Sequence, residues 1–404
     1  MNQDIRLSRR FRRSFAKSFA HSVIALAALG GALACSSESD DTKDSGLMEK
    51  TSEAVGTYAS IVHASYADSL HAVEHLDESI QAFIEEPSEE TLDAARMSWL
   101  EAREPYLQTE VFRFYDGPID NPTDGPEGMM NAWPLDEAYI DYTVDDPESG
   151  IINDPDVEIS AESLMELNEK GGEKNIATGF HAIEFLLWGQ DLDDDGPGNR
   201  PYTDYTEDGA ALEPERRALY LETVSALLVE HLEGLVEEWE EGSDNYRSQF
   251  EALDPNQALG QIFTGMITLS GFETGGERLQ AALDSGSQED EHSCFSDNTH
   301  RDMIQDIQGI LNVWEGRFAG TENDVTGASV EAVVSAVDSE LADQIDAQIL
   351  ESLKLANDLE TPFDREIAPD NDEGNERVSA LVSSLSDLEH DLQEAYEKLG
   401  LQVE

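Results

Sequence analysis

The thirteen residues from Ile176 to Trp188, I-A-T-G-F-H-A-I-E-F-L-L-W, contain two ionisable side chains, His181 and Glu184, and no Lys, Arg or Asp. An imidazole and a carboxyl three residues apart are neighbours on a helix surface. Stepping about 100° per residue surrounds them with apolar side chains, and a helix apolar on every side is a buried one. Glu is seldom fully buried without a partner, and an unpaired buried charge is very costly. The pair must therefore meet something in the interior. It could ligate a metal ion or do acid–base work on a bound ligand. The rival reading is a structural pair, with a cation such as Arg113 or Arg278 neutralising Glu184.

Two side chains do not complete a catalytic zinc site, which uses three protein ligands. The chain lacks H-E-x-x-H, so a distant histidine would supply the third donor. His292 and His300 are the candidates, because they lie in a stretch dense in potential ligands, G-S-Q-E-D-E-H-S-C-F-S-D-N-T-H-R-D from Gly286. Cys294 in that stretch is weighed as a nucleophile or soft ligand and read as a buried, inert thiol. His71, Glu74 and His75 match the inverted zincin pattern. However, Leu70, Val73 and Leu76 own the core face of that helix, so these histidines are expected in solvent. Asp191, Asp193 and Asp195 open a D-x-D-x-D-G run resembling a calcium loop. Its twelfth position is Tyr202 instead of the required Glu, and the run is read as a solvated acidic turn.

The elements that must hold these residues are helical. Apolar residues recur at spacings of three and four over 49–86, 89–112, 213–241, 259–282, 303–314, 328–357 and 377–398. Pro105 is expected to kink the second of these. Residues 161–170 form a shorter helix, and Gly171-Gly172 breaks the chain before the buried one. The segment 259–282 carries Gly260, Gly265, Gly271, Gly275 and Gly276. Gly costs about 1 kcal/mol against Ala inside a helix. So many imply close backbone approach or a helix broken at a site. No run shows sustained strand alternation, and the class is all-α. Long helices followed by a ligand-rich loop occur in each half, which suggests two similar bundles.

The amino terminus has a different purpose. Arg6, Arg9, Arg10, Arg12, Arg13 and Lys17 precede an apolar run from Val23 to Leu33. This reads as a signal peptide over 1–35, too short to span a bilayer. Ala32-Leu33-Ala34-Cys35 resembles a lipobox, which would make Cys35 a lipidated first residue. The run from Arg12, R-R-S-F-A-K, fits a twin-arginine signal or an ordinary basic region equally. Residues 36–47 read as an acidic tether. With Cys35 lipidated, Cys294 has no cysteine partner within the chain. The formal charge of −64 argues against nucleic acid and anionic lipid surfaces as partners. Self-repulsion of that size needs screening, so a high-salt habitat is expected.

Four stretches together resemble the imelysin family, and within it the iron-regulated branch. They are A-R-E-P-Y-L-Q-T-E-V-F-R-F-Y-D-G-P-I-D from Ala102, N-A-W-P-L-D-E-A-Y-I-D-Y from Asn131, G-F-H-A-I-E-F-L-L-W-G-Q-D from Gly179 and H-S-C-F-S-D-N-T-H-R-D from His292. The family motif G-x-H-x-x-E falls on Gly179, His181 and Glu184, and the resemblance covers roughly residues 48–400. It implies two packed helical bundles, read here as 48–206 and 207–404, with the motif helix lining a pocket at their interface. It also implies an envelope lipoprotein linked to iron uptake and its partner proteins. The expected function is binding of a metal ion, iron before zinc, or of a metal-bearing ligand, through His181 and Glu184. Gly179, Arg113, Tyr115, Asp116, Asp136, Tyr139, Asp297 and His300 are the further pocket candidates, since oxygen and imidazole donors suit iron. The alternatives are a zinc peptidase of the envelope, with Glu184 as ligand or base, and a non-catalytic docking protein with a structural His/Glu pair. The chain is expected to be exported and held in the cell envelope by lipid alone.

Overall fold

The computed structural model describes residues 38–192, 196–321 and 323–401, with side chains from residue 45. The signal peptide, Cys35, and Asp193 to Asp195 of the calcium-like run lie outside the described residues.

Ser45–Glu404 forms one compact unit. Helix α1 (Glu38–Glu85) begins inside the acidic stretch read as tether, ahead of its apolar periodicity. Val55, Tyr58, Val62, Tyr66, Val73, Leu76, Ile80 and Phe83 supply its buried stripe. Helix α2 (Glu89–Leu107) opens on a capping box between Ser88 and Thr91 and contains Pro105. A 3-10 turn, Glu110–Phe112, completes the stretch read from sequence as one helix. The motif helix α3 (Gly179–Trp188) is buried at every residue. Helix α4 (Pro214–Trp239) packs against α3. Leu219, assigned to the apolar face of α4 by its spacing, is instead 44% exposed.

Helix α5 (Pro255–Ile267) runs into a π-helical segment, Thr268–Gln280, and then a last α turn, Ala281–Ser285. The glycine density had marked this stretch as irregular. A Cβ on Gly271 would meet the Glu389 side chain, so the wide turns let another helix approach closely. That helix is α8 (Asp372–Lys398), which also packs on α7 (Ser339–Asn357). Helix α6 (Thr299–Glu315) lies against α7 and against α2, joining the earlier helices to the later ones. The long helix read over 328–357 is two, Val330–Val337 and α7, because Asp338 leaves helical geometry and caps Glu340 and Leu341. A two-stranded antiparallel hairpin, β1 (Arg317–Ala319) and β2 (Asp324–Thr326), escaped the sequence reading, being three residues a side. The architecture is all-α apart from it. No helix among the described residues is long and apolar enough to cross a membrane.

Candidate metal centre

Neighbouring elements fix the position of α3 at its first turn. Gly179 has φ +86°, and a Cβ there would sit 2.5 Å from the Met130 carbonyl oxygen. Only glycine fits a backbone so turned and so close to another chain segment. The Thr178 hydroxyl donates to the Met129 carbonyl at 2.9 Å. Trp99 of α2 donates Nε1–H to the Phe180 carbonyl at 3.0 Å, and Tyr220 of α4 donates to the Ala177 carbonyl at 2.7 Å. Three surrounding segments thus hold the helix that bears the His/Glu pair.

His181 is 2% exposed and Glu184 is 0% exposed. His181 Nδ1 lies 2.9 Å from Glu184 Oε2. Glu184 Oε1 accepts from the backbone N–H and the hydroxyl of Ser296, at 3.0 and 2.7 Å. Among the described residues, no arginine forms an ion pair with Glu184. A second imidazole meets the first: the His292 and His181 rings stand edge to face with centroids 4.9 Å apart. His292 Nδ1 lies 2.7 Å from Asp302 Oδ2, which also accepts from Ser293 Oγ at 2.5 Å and from Arg103 at 3.2 Å. Arg103 is held in turn by Asn131 Oδ1 at 2.6 Å. Trp133 edges the His292 ring from another side, at 5.3 Å.

Each imidazole thus has a carboxyl oxygen on Nδ1, while its Nε2 is buried without a hydrogen-bond partner among the described residues. Burial, then the Arg103 guanidinium, holds the His181 imidazole well below its ordinary value. Burial, then Arg278, His181 and Arg103, does the same to His292. Both rings are therefore neutral, the form that ligates metals. A carboxyl group on the far nitrogen is a usual device for orienting a metal-binding imidazole. Burial pushes the Glu184 carboxyl up to about 8, against the Ser296 hydrogen bond. These orphaned nitrogens and the chemistry of their partners fit a bound transition-metal ion.

The proposed cation partners of Glu184 are engaged elsewhere. Arg278 bonds Glu110 at 2.5 Å and Asp306 at 2.8 Å. Arg113 bonds Glu110 at 2.6 Å and Glu127 at 2.9 Å. Another buried network ties Asp141 to Arg200 and Arg217 at 2.7 Å each.

The structure does not bring the other candidates into hydrogen-bond contact with the His/Glu pair. Tyr115 shares a hydrogen bond of 2.9 Å with Tyr58, Tyr139 donates to the Leu167 carbonyl at 2.7 Å, and Asp116 and Asp136 are exposed. His300 is half-buried and bonds the Asp297 carbonyl through Nδ1 at 3.2 Å. Asp297 is buried in an acidic group with Asp191 and Asp364. His71 and His75 are exposed, as their place on the helix required. Cys294 is half-buried, and burial, then Glu184 and Glu291, pushes its thiol well above the ordinary value, the opposite of an activated thiolate. Of the two distant histidines named from sequence, His292 is the one that meets His181. Ser296 and Asp302 lie in the ligand-dense stretch without having been singled out. Arg103 and Asn131 carried no separate signal. A surface groove lined by Glu53, Thr57, Ser60 and Val325 shares no residue with the imidazoles.

The family model described as Imelysin, under a peptidase label, matches residues 62–392. Iron-regulated protein A of Synechococcus elongatus is 25% identical over 321 residues, covering 76% of this chain and 75% of that protein. Among solved structures, one described as an iron-regulated protein A precursor from Parabacteroides distasonis superposes with a TM-score of 0.69 at 19% identity. It covers 87% of this chain and 95% of its own. An imelysin-like protein from Psychrobacter arcticum gives 0.57 at 14% identity, over 92% and 100%. At these identities the two structures speak for the fold.

Proposed function

This chain belongs to the imelysin family, and on that footing we propose that it is an exported, iron-related binding protein of the cell envelope. Its centre is the imidazole pair: His181 Nε2 and His292 Nε2 hold a metal ion, or the metal of a metal-bearing ligand. Glu184 and Asp302 orient the two rings through Nδ1 and are not themselves ligands. The observation that carries this reading is the pair of buried, partnerless Nε2 atoms on rings backed by carboxyl groups. Among the described residues, no group of three His, Cys, Asp or Glu ligands includes His181. Further donors would then come from the ligand, which favours a metal-bearing molecule over a bare ion. Imidazole donors suit iron and zinc alike, and the name of the Synechococcus relative speaks for iron. Attachment to the envelope through Cys35 is part of the same reading.

Nothing in the geometry favours the zinc peptidase. Both Glu184 oxygens are engaged, by His181 and by Ser296, which suits a positioning group better than a base acting on water.

Metal content and calorimetric titration with Fe(II), Fe(III) and Zn(II) test the reading. His181→Ala and His292→Ala are each expected to weaken metal binding about 100-fold. Glu184→Gln should weaken it about 10-fold, the range seen for groups behind a ligand. Equal affinity in wild type and both histidine variants would refute the assignment.

A further inference from the structure

We propose a second metal site, on the exposed face of α1, where His71 and His75 bind one transition-metal dication of the zinc type through a nitrogen each. The two histidines are four residues apart on a continuous helix, so they stand on adjacent turns of one face. Their side chains are 47% and 61% exposed, and their rings meet edge to face with centroids 4.7 Å apart. Two imidazoles sharing an ion at about 2.0–2.1 Å from each nitrogen have centroids roughly 4.5–5.2 Å apart, for ligand angles between a right angle and tetrahedral. The rings already stand at that spacing, and exposed rings can turn towards a common point at little cost. Histidines at positions i and i+4 of a helix are also the pair with which zinc peptidases grip their ion.

A second observation concerns the other nitrogen of each ring. Glu74 Oε2 lies 3.9 Å from His71 Nδ1, and Glu78 Oε2 lies 3.6 Å from His75 Nδ1. The spacing H-x-x-E therefore occurs at 71–74, 75–78 and 181–184, each time with the carboxyl on the Nδ1 side of the ring. At the surface the two carboxylates stand beyond hydrogen-bond length, and rotation of an exposed glutamate closes the gap. Groups in this position orient a metal-binding imidazole and leave Nε2 to the ion. The formal charge of −64 also raises the concentration of dications beside the protein.

Exposure argues against a peptidase at His71 and His75, since it removes the dry pocket such chemistry needs, but it leaves two nitrogen donors in place. Among the described residues, no third His, Cys, Asp or Glu completes a ligand set with this pair, so water fills the remaining positions. Imidazole donors select zinc, copper and nickel, whereas scattered surface carboxylates select magnesium and calcium. The site shares no residue with His181 and His292, and it does not depend on the reading of that buried pair.

Full-length protein is to be stripped with EDTA, kept in molar potassium nitrate with excess MgSO4 so that plain carboxylates are screened and occupied, and titrated with ZnSO4 by calorimetry. One zinc ion per chain is expected to persist in His181→Ala. His71→Ala and His75→Ala should each weaken that ion's binding at least 10-fold, and circular dichroism should show both variants folded, because their side chains are exposed. If the buried pair holds no zinc, wild type and His181→Ala will bind one ion alike, and the surface assignment stands. Zinc binding unchanged in both surface variants overturns it. Loss of all zinc binding in His181→Ala overturns it equally, by placing the ion at the buried imidazoles.

Discussion

At the scale of single residues, the centre depends on atoms that sequence spacing can only partly locate. His181 and Glu184 were legible because each is an ionisable group in an apolar helix, where it needs a reason to be buried. Their roles were not legible. Spacing left the pair open as metal ligands, an acid–base pair or a structural pair; the structure adds that Glu184 Oε2 lies on His181 Nδ1. Gly179 shows the same division. Its place in the motif is plain in the sequence, but the cause is a tertiary contact with Met130. Gly179→Ala forces a Cβ into a positive-φ backbone against a carbonyl, and should cost about 2–3 kcal/mol. Urea unfolding of the two proteins checks this; equal midpoints would show that the backbone can move aside.

At the scale of elements, long amphipathic helices were read correctly from their period, because one buried stripe each is enough to announce them. What was missed is short or irregular. The hairpin β1–β2 has too few residues to alternate visibly, and a helix break at Asp338 is a capping event inside a continuous apolar pattern. The π-helical segment brings Thr274 and Arg278 together on Asp306, at 2.9 and 2.8 Å, while Arg278 also reaches Glu110. Its end is marked by a hydrogen bond from Ala281 N–H to the Gly276 carbonyl, five residues back. Removing one residue there would turn all that follows by about 100°, so the number of residues in this stretch is constrained as well as their types. Burial alone would raise the Glu110 carboxyl, but Arg113 and Arg278 outweigh it and hold the group at about 2. A carboxyl lowered on folding stabilises fully above its unfolded value of about 4.5, and the gain is lost as pH falls towards 2. Glu110→Gln should therefore cost about 3 kcal/mol or more at pH 7, since it strands buried guanidinium groups. The gap to wild type should narrow below pH 4. Denaturant unfolding of both proteins at pH 7, 4 and 2.5 measures it, and a gap that does not change with pH would exclude this origin.

At the scale of the whole molecule, the charge of −64 must be borne by a surface crowded with carboxylates. Their mutual repulsion is screened by salt, because the Debye length falls from about 10 Å at 0.1 M to about 3 Å at 1 M. The thermal midpoint should rise by several degrees or more between 0.1 and 2 M NaCl, and scanning calorimetry at fixed pH reads it directly; a flat profile would mean the surface charge costs little. The all-α class was legible throughout, since it rests on many repeated signals. The meeting of His181 with His292 was only a candidate pairing in the sequence, because it depends on how distant stretches dock. Glu184 and its partner Ser296 are 112 residues apart in the chain. Contacts of such separation form only after the intervening chain has folded back. A protein rich in helix but not yet assembled would hold one imidazole without the other, so, if the pair holds a metal as proposed above, metal affinity would gauge completed tertiary assembly in a way that helical content does not.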